Sequence, residues 1–360
     1  MRSSQVDWSG FLGRPPIADD PVLAESAVGG RSVLITGAGG SIGSGLAGAV
    51  LAGRPRTLVM LDLSEGALYE SYRRLLAMSG GSATKIVPVT GSVADRRFIA
   101  HLLGLHRPDV VVHAAAYKHV PLMELNPLSA IANNSIGTYR LVLAALEGGV
   151  SRLIAVSTDK AVNPLSLLGV SKRIAEFVVL SHATTETQMN VVRLCNVLGS
   201  SGSVAVLFAE QAAHGVPMTV TDPEAERYFL SPSEATAAIL KAAAARVQGR
   251  VFIPDCGMAF LVSDLARYIA RNSGIADPQL EFIGLRPGDK LHEELLAGDE
   301  VVESELPGGM RVVNSPAPNA LEIALLMVKL EAAVESFDRN ELMRVVAELF
   351  GVFGSLIDYI

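Results

Sequence analysis

Ser32-Val-Leu-Ile-Thr-Gly37-Ala-Gly-Gly40-Ser-Ile-Gly43 runs from an apolar strand into a helix, and its reading decides the fold. Ser32–Thr36 has the aliphatic, β-branched character of a buried strand, and Ile42–Ala52 has that of the helix following it. Each glycine between them has a steric task. Gly37 permits the tight turn, Gly40 lets a pyrophosphate approach the backbone, and Gly43 lets helix and strand pack closely. Ser41 and Ile42 open the helix, whose free N–H groups and positive dipole end suit phosphate. A glycine motif alone is weak evidence, but Asp62 strengthens it. This residue closes the next strand about twenty residues after Gly43, where a carboxylate accepts ribose hydroxyls and repels a 2′-phosphate. The reading is a dinucleotide site for NAD rather than NADP.

Outward from this unit, Ser32–Thr36, Thr57–Asp62, Lys85–Thr90, Asp109–Ala115, Arg152–Thr158 and Asn190–Val197 read as strands. They alternate with helix-compatible stretches such as Ile42–Ala52, Ser64–Met78 and Pro127–Glu147. Strand–helix–strand succession with short links specifies an α/β protein, a Rossmann-like doubly wound parallel sheet with right-handed crossovers. Beyond Gly199 the elements shorten and are broken by Pro217, Pro223, Pro232, Pro254 and Pro287, as expected of a smaller C-terminal substrate-binding lobe. Ala320–Leu349 carries apolar residues at helical spacing. The expected division is an N-terminal arm over 1–30, loosely packed, an NAD-binding Rossmann domain over 31–198, a mainly substrate-binding lobe over 199–319 and C-terminal helices over 320–360.

The net charge of −7 argues against a nucleic-acid partner, which needs clustered Lys and Arg. Cys195 and Cys256, the only two cysteines, make neither a disulfide framework nor a metal cluster. Both are expected as buried, inert thiols in a reducing compartment, and no metal site is expected. No apolar run reaches membrane-spanning length, and Met1–Gly10 lacks the apolar core of a signal peptide. These features point to a cytoplasmic protein with no membrane span.

Thr36–Gly43 resembles the extended short-chain dehydrogenase/reductases. Further segments narrow the resemblance to the capsular-polysaccharide-type UDP-N-acetylglucosamine 4,6-dehydratases: Ala114-Ala-Ala-Tyr-Lys-His-Val-Pro-Leu-Met-Glu124, Asn134-Ser-Ile-Gly-Thr138, Ser157-Thr-Asp-Lys-Ala-Val-Asn-Pro164, Asn196-Val-Leu-Gly-Ser-Ser-Gly-Ser203, Arg227-Tyr-Phe-Leu230 and Leu285-Arg-Pro-Gly-Asp-Lys290. Gly10-Phe-Leu-Gly-Arg-Pro-Pro16 is similar to the linker that follows the membrane-anchored region of the long members, so the chain reads as their catalytic half. The resemblance implies oxidation of a UDP-N-acetylhexosamine at C4, loss of the C5 proton and the C6 hydroxyl, and return of the hydride to C6. The product would be a UDP-4-keto-6-deoxy sugar for a surface polysaccharide or glycoconjugate.

Thr158, Asp159 and Lys160 follow the fifth strand at its carboxyl end, where open parallel sheets place ligands. The resemblance assigns Lys160 as C5 base, Asp159 as C6 acid and Thr158 as partner of the C4 oxygen. A lysine base is expected to have its pKa lowered by desolvation. Ser92, Val93, Ala114, Ala115, Ala116, Ser157 and Lys172 would complete the NAD site. Lys118, Asn196, Arg227, Arg286 and Asp289 would hold the sugar nucleotide, the arginines on its diphosphate. Two departures stand out. Leu168 occupies the position, four residues before Lys172, where short-chain dehydrogenases usually carry Tyr. Ser92 replaces the Asp expected beside adenine. Two other readings remain open: a UDP-hexosamine 4-epimerase, and a catalytically silent NAD- or nucleotide-sugar-binding protein. The helices Pro127–Glu147 and Leu168–His182 carry apolar faces that in this superfamily often pair across a two-fold axis, so a homodimer or an assembly of dimers is expected.

Overall fold

The computed structural model describes residues 6–15 and 20–350; Pro16 of the linker-like segment, and the outer ends of the N-terminal arm and the C-terminal block, lie outside them. The central sheet has nine strands, numbered in chain order: β1 Ser32–Thr36, β2 Thr57–Asp62, β3 Lys85–Thr90, β4 Val110–His113, β5 Arg152–Thr158, β6 Gln188–Leu194, β7 Val251–Ile253, β8 Val301–Leu306 and β9 Met310–Asn314. Their order is β8-β9-β7-β6-β5-β4-β1-β2-β3. All pairings from β7 across to β3 are parallel, and β9 and β8 add an antiparallel edge. The chain winds outward from β1 to β3, then returns to place β4 on the other side of β1. That reversal opens a crevice at the strands' carboxyl ends. β1 and β4 are buried throughout, whereas edge strand β3 is partly exposed and there tolerates Pro88, which cannot donate to a ladder.

One face of the sheet is covered by Arg96–His106, Gly137–Glu147 and Leu167–Ser181, through residues such as Leu103, Leu141, Ile174 and Val178. The other is covered by Pro21–Val28, Ser41–Ala52, Glu65–Ser79 and Pro232–Ala244, through Val28, Leu46, Leu75 and Ile239. A third apolar cluster fills the smaller lobe around Phe208, Phe229, Leu265 and Ile269.

Four expectations need correction. Pro127–Glu147 is not a single α-helix: it divides into Pro127–Ala130, a π-helical stretch Ile131–Ile136 and Gly137–Glu147. Within the wider turn, fully buried Asn134 uses its side chain to accept from Tyr117 N and to donate to Tyr117 O and Ser171 Oγ. The N-terminal arm is not loose where it is described. Phe11 and Leu12 enter the smaller lobe's core, and Arg14 pairs with Glu234 at 2.5 Å while donating to the carbonyls of Cys256 and Phe229. Cys195 and Cys256 are buried but not separate thiols. They follow the carboxyl ends of parallel neighbours β6 and β7, which brings the two sulfurs into a disulfide. Finally, the helix faces expected to meet a second subunit are covered by the chain's own C-terminal helices Ala320–Glu335 and Arg339–Phe350, whose Ile323, Met327, Leu330 and Val346 join Leu141, Val170 and Val178 in one core. Among the described residues, no helix is long and apolar enough to cross a membrane.

Candidate active site

At the mouth of the crevice, Gly37 adopts a left-handed φ of +71°, and a Cβ there would lie 2.6 Å from Ala115 N. A Cβ on Gly43 would lie 2.1 Å from Gly37 O, so strand and helix can close only over glycine. Gly39, absent from the sequence reading, is equally confined: its Cβ would meet the Ala67 backbone at 2.7 Å. Asp62 fixes this loop, accepting from Gly39 N and Ser64 N, each at 2.8 Å. Gly40 begins the Ser41–Ala52 helix without a side-chain cap, which leaves the first-turn N–H groups to an anion. Glycine cradle, uncapped helix end and carboxylate at the end of β2 together fit a dinucleotide. Ile42 packs partly into the core behind the loop, and Ser41 Oγ accepts from Ser201 N at 2.9 Å, joining the loop to the smaller lobe.

Ser92 Oγ accepts from Ala94 N at 3.1 Å, so it caps the local turn. Val93 is buried beneath it. Ala114, Ala115 and Ala116 continue from β4 into the crevice wall, half-buried, and Ser157 lies buried near the end of β5. Lys172 reaches back to donate to Val156 O at 2.7 Å. Burial pushes its pKa down to about 8, against the pull of Glu176. Leu168 is sealed into a cluster with Met123 and Ala130. An apolar side chain in an apolar setting can move no proton, so acid–base work falls elsewhere.

It falls at the end of β5. Thr158 Oγ1 accepts from Lys160 N at 3.4 Å and caps the short turn Asp159–Ala161. The turn can abut the next helix because Gly169 lacks a Cβ, which would stand 2.2 Å from Lys160 O. Asp159 is fully buried. Its Oδ1 accepts from Thr158 Oγ1 at 2.8 Å and Lys160 Nζ at 3.0 Å, while Oδ2 has no partner among the described residues. Lys160 Nζ also donates to Asn196 Oδ1 at 3.1 Å and lies 3.2 Å from Glu293 Oε1. Burial acts to lower the pKa of Lys160, but Asp159 and Glu293 outweigh it and hold the ammonium above its usual range. The lowering expected from desolvation alone is therefore reversed by two carboxylates, only one of which was anticipated.

The expected substrate ligands divide into two groups. Asn196 touches Lys160, and Arg227 stands beside it with Nε 3.8 Å from Glu293. Arg227 also donates to the carbonyls of Glu226, Lys290 and Leu291, so part of its guanidinium organises the lobe. Arg286 and Asp289 pair with each other at 2.9 Å, with Arg286 half-exposed at the rim. Lys118, exposed, reaches Ser200 Oγ at 3.4 Å. Sequence reasoning missed Glu293 and Lys290, which stand 3.7 Å apart beneath Lys160. Their signal was the density of charge in Asp289-Lys-Leu-His-Glu-Glu294 within an otherwise apolar chain. Among the described residues, no cluster of His, Cys, Asp and Glu is arranged to hold a metal.

Residues 33–314 match the family described as polysaccharide biosynthesis protein. The chain is 41% identical over 301 residues to the capsular polysaccharide biosynthesis protein CapD of Staphylococcus aureus, a match covering 82% of this chain and 50% of that protein, so it spans about half that relative's length. It is 30% identical over 277 residues to a UDP-N-acetylglucosamine 4,6-dehydratase (inverting) of Campylobacter jejuni, covering 75% of this chain and 79% of that one. Among solved structures, the dTDP-glucose 4,6-dehydratase DesIV of Streptomyces venezuelae, crystallised with NAD, shares the fold with a TM-score of 0.65 at 20% identity, over 85% of this chain and 98% of that one. The chain belongs to the polysaccharide biosynthesis protein family, on a Rossmann-like fold of the extended short-chain dehydrogenase/reductase type.

Proposed function

We propose that the chain is an NAD-dependent nucleotide-sugar 4,6-dehydratase that converts UDP-GlcNAc to a UDP-4-keto-6-deoxy-hexosamine. The observation carrying this reading is the contact of Asp159 with Lys160 at the carboxyl end of β5, beside the glycine cradle. Elimination across C5–C6 needs one group to take a proton and another to give one, and an epimerase needs no such pair. NAD, held by the Gly37–Gly43 loop, Asp62 and Lys172, would supply hydride exchange between C4 and C6.

The chain's own residues would do the rest. Thr158 donates to Asp159 and offers its oxygen to the C4 hydroxyl, giving the C4 proton a route to the Asp159 carboxylate. Asp159, once protonated, returns that proton to the departing C6 hydroxyl, which leaves as water. Lys160 faces the sugar as the C5 base, with Asn196 steering its amine. Arg227 and Arg286 would bring positive charge to the diphosphate, with only the N–H groups left over from their contacts with the lobe and with Asp289.

Incubation with UDP-GlcNAc and mass spectrometry tests the reading. The expected result is loss of one water from the sugar nucleotide, with solvent deuterium appearing at C5. Lys160→Ala should lower turnover by about 10²–10⁴-fold, the usual cost of losing a positioned base, and leave NAD binding intact. An unchanged mass with altered retention indicates epimerisation instead, and no change at all indicates a binding protein. Either result overturns the proposal.

A further inference from the structure

Glu293 is buried, its side chain 2% exposed, and it sits on the segment that crosses from the smaller lobe beneath β5. One carboxylate oxygen meets Lys160 Nζ at 3.2 Å, and the other, Oε2, accepts no hydrogen bond among the described residues. That second oxygen faces Lys290 Nζ at 3.7 Å, in ion-pair range but too far for a hydrogen bond, so it has acceptor capacity to spare. Structural pairing of Lys160 does not require it, because Asp159 already holds the same nitrogen at 3.0 Å.

We propose that Glu293 is a positioning residue for Lys160: with Asp159 it holds the ammonium in place, and it accepts the Lys160 proton when the amine must act. The inference rests on the dehydratase reading and deepens it. Oxidation at C4 releases one proton, which passes through Thr158 to Asp159. Elimination then needs protonated Asp159 and a free Lys160 amine at the same moment. Lys160 must therefore have lost its own proton: its N–H bond breaks and an O–H bond forms on Glu293 Oε1. The free amine takes the C5 proton while Asp159 gives its proton to the C6 hydroxyl, releasing water. When hydride reaches C6, Lys160 returns the proton to C5 and recovers its own from Glu293. Asp159, Lys160 and Glu293 then stand in their starting charge states, and every proton is accounted for. Asp159 alone cannot serve both needs.

The charged groups facing Lys160 are Asp159 on its own turn, Glu293 and Lys290 on the crossing segment and Arg227 on the short strand Glu226–Arg227 of the smaller lobe. Removing the Glu293 charge therefore shifts the balance toward the cations. The side chain of Lys160 is 21% exposed, enough for a small reagent to reach it. Competitive acetylation with acetic anhydride across the alkaline range, read by peptide mass spectrometry, gives the titration midpoint of Lys160 without recourse to turnover. In the wild type it should lie above 10.5, the ordinary lysine value. In Glu293→Gln it should fall by about one pH unit or more, the usual effect of losing an opposite charge at this distance. Glu293→Asp, which keeps a carboxylate farther away, should fall between the two. Wash-in of solvent deuterium at C5 of UDP-GlcNAc should drop at least about tenfold in Glu293→Gln and recover in part in Glu293→Asp, with NAD affinity by calorimetry unchanged. A midpoint unmoved by Glu293→Gln, or C5 exchange that stays at the wild-type rate in that variant, overturns the proposal, and Glu293→Asp carries both measurements if Glu293→Gln fails to fold. If instead Lys160→Ala exchanges C5 at the wild-type rate, the assignment of Lys160 as base fails, whatever the acetylation shows.

Discussion

Gly169 and Leu168 are neighbours in sequence with opposite duties. Leu168 closes an apolar cluster where related dehydrogenases carry a phenol, whereas Gly169 lets its helix touch the turn bearing Lys160. A methyl group at Gly169 would stand 2.2 Å from a backbone oxygen that cannot swing aside as a side-chain tip can. Gly169→Ala should therefore push the Asp159–Ala161 turn away from the helix. Overpacking of this kind costs about 1–3 kcal/mol, measurable as a lowered urea midpoint. Because the strain falls on the turn and not on the glycine loop, C5 exchange should weaken more than NAD affinity. Equal losses in both would show that the strain spreads through the whole sheet. At this scale the sequence was only half legible. Thr158, Asp159 and Lys160 could be named because they follow a strand with a recognisable run. Glu293, 133 residues from Lys160, stands in a locally charged run, but nothing in that run tells which distant residue it meets.

At the scale of elements, β1, β2, β3 and β5 have the ends that their residues announced, because a buried run bounded by turn residues is local information. The π-helical stretch was illegible, since its cause is the long-range demand of buried Asn134 for partners at Tyr117 and Ser171. The disulfide was illegible for a similar reason: a separation of 61 residues becomes a contact only once β6 and β7 are neighbours. The apolar faces of Gly137–Glu147 and Leu167–Ser181 were read correctly as faces needing cover, but their cover lies in the same chain. Arg140 pairs with Glu331 at 2.9 Å, and Phe177 stacks on Phe350 with ring centroids 6.4 Å apart, both across this seam. Leu330 is wholly buried there. Leu330→Ala should cost about 2–5 kcal/mol in urea unfolding, as a core truncation does. An unchanged midpoint would mean that the C-terminal helices leave this face in solution, freeing it for the dimer first expected of it.

Across the whole molecule, the segment 290–300 ties the smaller lobe to the Rossmann sheet. Lys290 donates to Val162 O, Glu293 meets Lys160, and Leu295 O accepts from Arg193. The strongest tie is ionic. Arg193, fully buried on β6, pairs with Glu176 and Glu300 at 2.8 Å each, and Arg173 joins both carboxylates. Burial would raise the Glu300 pKa, but Arg193, with help from Ser315 and Ala297 N, brings it down to about 2. A carboxyl whose folded pKa lies below its ordinary 4.5 contributes stability that is fully present above 4.5 and is lost as pH falls toward 2. Glu300→Gln should remove that dependence, flattening the acid side of a stability profile by about one proton. Arg193→Met is the harsher test, because it leaves Glu176 and Glu300 buried with only Arg173 between them. Breaking a buried pair from one side costs about 3–5 kcal/mol. The loosened segment also carries Glu293, so acetylation of Lys160 should report a lower midpoint in Arg193→Met, although residue 193 does not touch Lys160. If stability falls while the Lys160 midpoint holds, the ionic tie serves folding alone and the catalytic pair is independent of the lobe. If both move together, one buried arginine couples the seating of the 290–300 segment to the protonation of the site.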